Sequence, residues 1–303
     1  MRENVTERAN AKINLFLEVT SRRPDGYHII DGIMQSVTLA DTVTVSWEPS
    51  DRTEVTLRAP GAAPGMPTDM TNLACRAAAG FLASAGRTGI VEILLEKRIP
   101  MAAGLAGGSS DAAAVLRALN RLTGTPLTDG ELCAVASGLG ADVPFCVRGG
   151  AMRTQGIGEL LTPVPCLSGC RVVIACAGEG VSTPWAYRRL DELYADFRVP
   201  RAVDAGVNAL IRVLREQDPV RAAGEMRNLF EEAVVPERPF VARIRERMIR
   251  CGAIRAMMSG SGPSVFGIFQ KEDDGAENTV RALTDEGIPA WLCVPAAEEL
   301  SGS

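Results

Sequence analysis

One stretch constrains the fold more than any other: PMAAGLAGGSSDAAAV, residues 100–115. Glycines and small side chains run without interruption into a segment of helical periodicity. There Ala112, Val115, Leu116, Leu119 and Leu122 make an apolar stripe. A loop of this composition ahead of a helix presents free N–H groups at the helix N-terminus, where the peptide dipoles amount to roughly half a positive charge. Gly104, Gly107 and Gly108 let the backbone approach an anion with no Cβ in the way. Ser109, Ser110 and Asp111 stand where the helix is expected to begin, and are expected to cap it. The serine hydroxyls can also meet phosphate or Mg²⁺. The stretch lacks the Gly-Lys-Ser/Thr of a Walker A loop, and its glycines are not spaced as Gly-x-Gly-x-x-Gly. A phosphate held here needs its positive charge and its chemistry from elsewhere. The plainer alternative is a tight turn before an Ala-rich helix.

The remainder reads as mixed α and β. Ala11, Ile13, Leu15, Leu17 and Val19 alternate with Lys12, Asn14, Phe16 and Glu18, the period of a strand. Further strands are predicted over 42–47, 54–58, 90–96 and 143–147, and helices over 70–85, 110–123 and 128–138. PVPCLSGC, at 163–170, is a turn-rich join. Beyond it come a strand over 171–176 and helices near 184–195, 203–216, 218–229 and 237–251. Strands over 264–269 and 290–294 then flank a helix at 274–286. A chain of 303 residues without internal repeats predicts two domains, 1–165 and 166–303.

Charge and composition exclude several classes. A formal net charge of −5 argues against nucleic-acid binding. No run of about 18 apolar residues is present, so no spanning helix is expected. The charged opening MRENVTERANAK has no secretory h-region, which predicts a cytoplasmic protein. The eight cysteines are scattered and read as reduced core residues, since no second Cys/His pair joins Cys166 and Cys170. A single histidine, His28, leaves no material for a His-based metal site or a Ser-His-Asp triad. The arginine-rich segment 240–252 reads as a solvated helix face.

Four places carry groups suited to chemistry. In GADVPF, Asp142 lies between Gly140 and Pro144 at the predicted edge of an apolar strand; alone it reads as a turn cap. Lys12 on the first strand is alone an ordinary strand lysine. Beside a phosphate loop the two make sense together: a carboxylate takes the proton of an attacking hydroxyl, and a lysine offsets charge on the transferring phosphoryl group. RRPDGYHII presents Tyr27 and His28 from a Pro24-Asp25-Gly26 turn, where a flat ring can be stacked and hydrogen-bonded. MSGSGPSVFGIF, 258–269, is a second small-residue turn whose amides can close over substrate or phosphate, although a β-turn explains it equally.

Together ANAKINLFL, RRPDGYHIID, PMAAGLAGGSSDAAA, GADVPF, QGIGE and MSGSGPSVFGIF resemble, in order and spacing, one family. It is the 4-diphosphocytidyl-2-C-methyl-D-erythritol kinases, in the GHMP superfamily of galactokinase, homoserine, mevalonate and phosphomevalonate kinases. The resemblance spans about residues 9–295. It implies a two-domain α+β fold with the active site in the interdomain cleft. It also implies transfer of the ATP γ-phosphoryl group to the 2-hydroxyl of the diphosphocytidyl-methylerythritol substrate, on the non-mevalonate route to isoprenoids. Lys12 and Asp142 match the family's catalytic pair. Pro100, Met101, Ala102, Ala103, Gly104, Leu105, Ala106, Gly107, Gly108, Ser109 and Ser110 match the loop around the ATP phosphates. Asn72 and Lys97 match positions near the adenine. Tyr27 and His28 match the cytosine-recognising pair, Asn14 a nearby polar contact, and Tyr187 a second stacking aromatic.

The implied cofactors are ATP and Mg²⁺, with metal ligands unassigned, and the implied partner is a small-molecule substrate. The implied assembly is a monomer or homodimer, with no nucleic acid or membrane. Asn10 stands where proline is frequent in the family, and Ala103 and Ala106 replace glycines. Asp111, in the first helical turn, is placed to cap the helix in preference to holding Mg²⁺. The rival readings are a mevalonate- or homoserine-type kinase and an inactive nucleotide-binding sensor. Tyr27, His28 and Tyr187 suit a cytosine better than a small aliphatic substrate, and an intact Lys12 and Asp142 speak against a sensor.

Overall fold

A computed structural model describes residues 3–124, 127–197 and 204–296. The chain begins with two long strands, β1 (Asn4–Arg22) and β2 (His28–Pro49), followed by β3 (Glu54–Arg58), α1 (Leu73–Ser84) and β4 (Gly89–Glu96). Then come α2 (Gly107–Leu122), α3 (Asp129–Ser137), α4 (Val143–Arg148), β5 (Ala151–Gly156) and β6 (Leu160–Pro163). The remainder is β7 (Cys170–Ala175), α5 (Thr183–Leu193), α6 (Asp204–Glu216), α7 (Pro219–Glu225), β8 (Arg227–Asn228), α8 (Phe230–Val234), α9 (Pro239–Arg250), β9 (Arg255–Met258), β10 (Val265–Gln270), α10 (Gly275–Asp285) and β11 (Ala290–Cys293).

Among the described residues the strands form two sheets. The larger runs β3-β4-β2-β1-β8, with β5 and β6 branching from β2; the smaller runs β11-β7-β10-β9. β1 and β2 pair antiparallel from Asn4↔Ser46 to Arg22↔His28, with irregularities between Asn10 and Lys12, Asn14 and Phe16, and Val19 and Ser21. Such interruptions bend a strand and re-aim its side chains. Two of them flank Lys12 and Asn14, whose side chains leave the sheet for the cleft.

Among the described residues three apolar clusters make the core, and β1 contributes to each. Ala9 joins the cluster in which α1 and α2 cover the large sheet, through Phe81, Leu116, Leu119, Val45 and Ile93. Ala11, Ile13 and Leu15 join one that couples both sheets, with Val37, Leu105, Ile174, Phe266 and Leu210. Leu17 and Val19 join one beneath α5, α8 and α9 that includes Leu190, Phe230, Ile244 and Phe269. α2 is buried from Ser110 to Leu119, well beyond a single stripe. Within that stretch Arg117 is 3% exposed and paired with Glu7 at 3.2 Å.

The structure corrects several expectations. VPFCV (143–147) is α4 and not a strand, with Pro144 in the first helical turn where a missing N–H costs nothing. A short apolar run of this kind carries no period that separates a strand from a buried helix. The predicted helix 218–229 ends at Glu225, and Arg227–Asn228 then pairs in parallel with Phe16–Leu17 as β8. Residue 203, the first of the predicted helix 203–216, lies outside the described residues. No helix among the described residues is long and apolar enough to cross a membrane.

Candidate active site

The glycine-rich loop opens a cavity of about 1030 Å³. α2 begins at Gly107, and Ala106 holds the N-cap position in the left-handed region (φ 58°) without a side-chain cap. The expected capping by Ser109, Ser110 and Asp111 is therefore corrected, because Ser110 and Asp111 already lie inside the helix. Ser110 N donates to Ala106 O at 2.9 Å, and its Oγ donates to Asn10 O at 2.6 Å. The first-turn amides are thus left to a ligand, as at an anion site. Ser110 and Leu105 are each 1% exposed and face the interior. The other loop residues from Pro100 to Ser109 line the cavity.

A second element straps this loop down. Ser259 Oγ donates to Gly104 O at 3.0 Å, and Ser264 N donates to Ala103 O at 3.3 Å. Gly104 has φ +76°, and a Cβ there would collide with the Ser259 carbonyl oxygen. Glycine is required at this position by both the backbone angle and the close approach. The turn that reads in the sequence as a possible phosphate cover is thus built against the loop, with Gly260, Ser261 and Gly262 lining the same cavity.

Lys12 and Asp142 meet at the cavity wall. Lys12 is 5% exposed, its Nζ donates to Asn14 Oδ1 at 2.7 Å, and Asp142 Oδ2 stands 3.9 Å away. A Cβ on Gly260 would lie 3.2 Å from Lys12 Nζ, so the second turn closes over the ammonium. Lys12 N donates to Leu105 O at 3.1 Å, which fixes the strand to the phosphate loop. Asp142 occupies the N-cap position of α4, not the strand edge expected for it, and makes no side-chain cap hydrogen bond. Its carboxylate is 39% exposed and free to meet a substrate.

Lys97 is held between two carboxylates. It donates to Asp111 Oδ2 at 2.7 Å and to Asp41, whose other oxygen accepts from the amides of Arg98 (2.5 Å) and Ile99 (2.8 Å). Burial, which lowers the Lys97 pKa, is outweighed by Asp111 and Asp41, which raise it. Burial pushes the Asp111 carboxyl up to about 7; Lys97 opposes this and Asp41 adds to it. Sequence reasoning placed Asp111 in the helix cap and did not single out Asp41. Nothing local marks Asp41, because its partners lie more than fifty positions away. Asn72 caps α1, accepting from Ala74 N at 2.9 Å and donating to Pro67 O at 2.8 Å, with its residue on the cavity wall.

At the far end stand the aromatic groups. The turn after β1 is closed by Arg23 N donating to Tyr27 O at 2.7 Å, which leaves Tyr27 60% exposed at the cavity rim. His28 stacks on Tyr187 of α5 with centroids 4.5 Å apart and rings inclined by 18°. Its Nε2 lies 2.6 Å from Asp191 Oδ1. Burial, and then the charge of Asp142, push the Tyr187 hydroxyl up to about 12, so it stays a neutral donor.

Cleft, loop and turn are those of GHMP kinases: residues 72–150 match the family "GHMP kinases N terminal domain" and residues 210–288 "GHMP kinases C terminal". A 4-diphosphocytidyl-2-C-methyl-D-erythritol kinase of Gloeobacter violaceus is 42% identical over 294 residues, 96% of this chain and 94% of that one. The protein of the same name in Symbiobacterium thermophilum is 43% identical over 285 residues, 93% and 96% of the two chains. A crystal structure of 4-(cytidine 5'-diphospho)-2C-methyl-D-erythritol kinase superposes with a TM-score of 0.75 at 36% identity, covering 97% of this chain and all of that one. A homoserine kinase from Cytophaga hutchinsonii superposes equally well, with a TM-score of 0.75, but at 20% identity it speaks for the fold alone. The chain belongs to the 4-diphosphocytidyl-2-C-methyl-D-erythritol kinase family.

Proposed function

We propose that the protein transfers the γ-phosphoryl group of ATP to the 2-hydroxyl of 4-diphosphocytidyl-2-C-methyl-D-erythritol, a step towards isoprenoid precursors. One observation carries the reading: the Lys12–Asp142 pair stands in a single cavity with the phosphate loop and the His28–Tyr187 stack. The first-turn amides of α2 take the phosphates, with the helix dipole in place of a Walker lysine. Asp142 accepts the hydroxyl proton at its carboxylate as the oxygen attacks in line. Lys12, dry and held by Asn14, offsets charge on the moving phosphoryl group. The aromatic end receives the cytosine, and Asn72 and Lys97 flank the adenine. The halves 1–165 and 166–303 supply the two walls, joined through the irregular segment after β6.

Mg²⁺ fits this cavity. Asp41 and Asp111 face one lysine, and Asp111 Oδ1 is buried without a hydrogen-bond partner among the described residues, a free oxygen that a cation would satisfy. Asp111 and Ser109, both on the cavity wall, are the residues that would hold the ion. When bound, it neutralises charge on the β- and γ-phosphates.

The test is a coupled ATP assay with diphosphocytidyl-methylerythritol, mevalonate and homoserine side by side. The reading requires strong preference for the first. Preference for either of the others would leave a GHMP kinase with a different acceptor.

A further inference from the structure

We propose that Asp191 is a positioning residue that fixes which nitrogen of His28 carries the proton, and thereby sets the cavity's preference for an amine-bearing pyrimidine. The inference rests on the cytidine reading given above. Asp191 lies four positions beyond Tyr187 on α5, so the two side chains leave the same helix face one turn apart. Tyr187 covers the face of the His28 ring, and Asp191 takes its Nε2 at 2.6 Å. Phe197 meets the ring edge-on, with centroids 5.9 Å apart and an interplanar angle of 86°. The His28 and Asp191 side chains are 8% and 11% exposed, so their hydrogen bond is largely shielded from water. On its other oxygen Asp191 meets Arg22 at 3.4 Å, and Arg22 is the cross-strand partner of His28 in the β1–β2 ladder.

The chemistry follows from the partner. An ionised carboxylate only accepts hydrogen bonds, so the hydrogen of the contact sits on Nε2. In the neutral ring Nδ1 then carries a lone pair, and among the described residues it has no hydrogen-bond partner. His28 lines the cavity, so this acceptor belongs to the site's inventory for a ligand. Cytosine carries an exocyclic amine, a donor, where uracil carries a carbonyl oxygen. An acceptor held in place favours the first and leaves the second unpaired. Holding the ring by stacking, edge contact and a charged hydrogen bond removes the freedom it would otherwise lose on binding.

The experiment uses tag-free protein with ¹⁵N-labelled histidine. His28 is the only histidine, so its two ring nitrogens give the only imidazole signals. The expected wild-type pattern is a protonated Nε2 and an unprotonated Nδ1, becoming a mixture of tautomers in Asp191→Ala. In parallel, KM for the cytidine substrate rises about tenfold, the equivalent of one oriented hydrogen bond. KM for ATP stays within about twofold, and the disadvantage of the uridine analogue shrinks. Asp191→Asn keeps the side-chain volume and serves as the folded control: its amide can accept from or donate to Nε2, so the tautomer is no longer dictated and KM moves the same way by a smaller factor at an unchanged thermal midpoint. A residue that merely pins the hairpin to α5 would leave the tautomer untouched. A proton on Nδ1 in the wild type, the same tautomer in Asp191→Ala, or an unchanged cytidine KM overturns the proposal. Failure of the wild type to phosphorylate the cytidine substrate overturns the functional reading instead, and the ring-nitrogen spectra still decide the positioning on their own.

Discussion

Replacing Asp142 by Asn separates chemistry from binding. Asparagine keeps the size of the side chain and the short helix behind it, but it cannot take a proton from the attacking hydroxyl. A positioned general base contributes about 10²–10⁴-fold, so kcat is expected to fall by that factor, or about 3–5 kcal/mol of barrier. The partner charge bounds the rest of the effect. At 3.9 Å the Lys12–Asp142 attraction is about 4 kcal/mol for an effective dielectric near 20. With 39% of the Asp142 side chain exposed, solvent screening cuts this to about 1 kcal/mol of fold stability. Lys12 also retains Asn14 as a hydrogen-bond acceptor. The thermal midpoint is therefore expected to move by only about 2–4 °C. ATP affinity, measured by calorimetry, should stay within about threefold, because the loop amides are untouched. Steady-state ADP release with the cytidine substrate reads kcat. A variant that turns over within a few-fold of wild type refutes the role given to Asp142, and one that loses ATP binding in step with turnover shows that its part is structural.

Three further outcomes follow from the same geometry. Gly104→Ala forces a side chain into a φ of +76° and onto the Ser259 carbonyl. A loss of at least about 1 kcal/mol and a several-fold higher ATP KM are expected; thermal melts and ATP titrations check both. Tyr187→Ala removes the ring stacked on His28 at the cytosine end, and the loss is expected to be of the order of one base stack, about 1–3 kcal/mol. KM for the cytidine substrate should rise about 5–150-fold while the KM for ATP holds. Asp111→Asn replaces the carboxylate oxygen left unpartnered in the buried cluster by a neutral amide, so half-maximal rate should require several-fold more Mg²⁺, read from an Mg²⁺ titration at saturating ATP.

Much of this was legible from sequence where the signal is local. The alternation of β1, the small-residue loop and the GADVPF turn each carry their own spacing, and the site they mark assembles around Lys12 and Asp142. What escaped the sequence is held by distant partners. Asp41 matters because it faces Lys97, and Asp191 because it faces His28, 163 positions away. Neither has a period or motif of its own. The start of α2 was misplaced because Ser-Ser-Asp is a good capping sequence, yet the chain enters the helix at Gly107 through a left-handed Ala106. The VPFCV segment was misread because burial on all sides erases the difference between a strand and one and a half turns of helix.

The parallel pairing of Phe16–Leu17 with Arg227–Asn228 has a consequence during synthesis. The outer edge of β1 cannot be completed until residues about 200 positions downstream have left the ribosome. At about 5–20 residues per second, the nascent N-terminal half carries an incomplete sheet for roughly 10–40 s. An unpaired strand edge is a template for association with other chains. For that interval Phe16 and Leu17 offer their outward backbone groups to water or to another chain, however stable the finished fold.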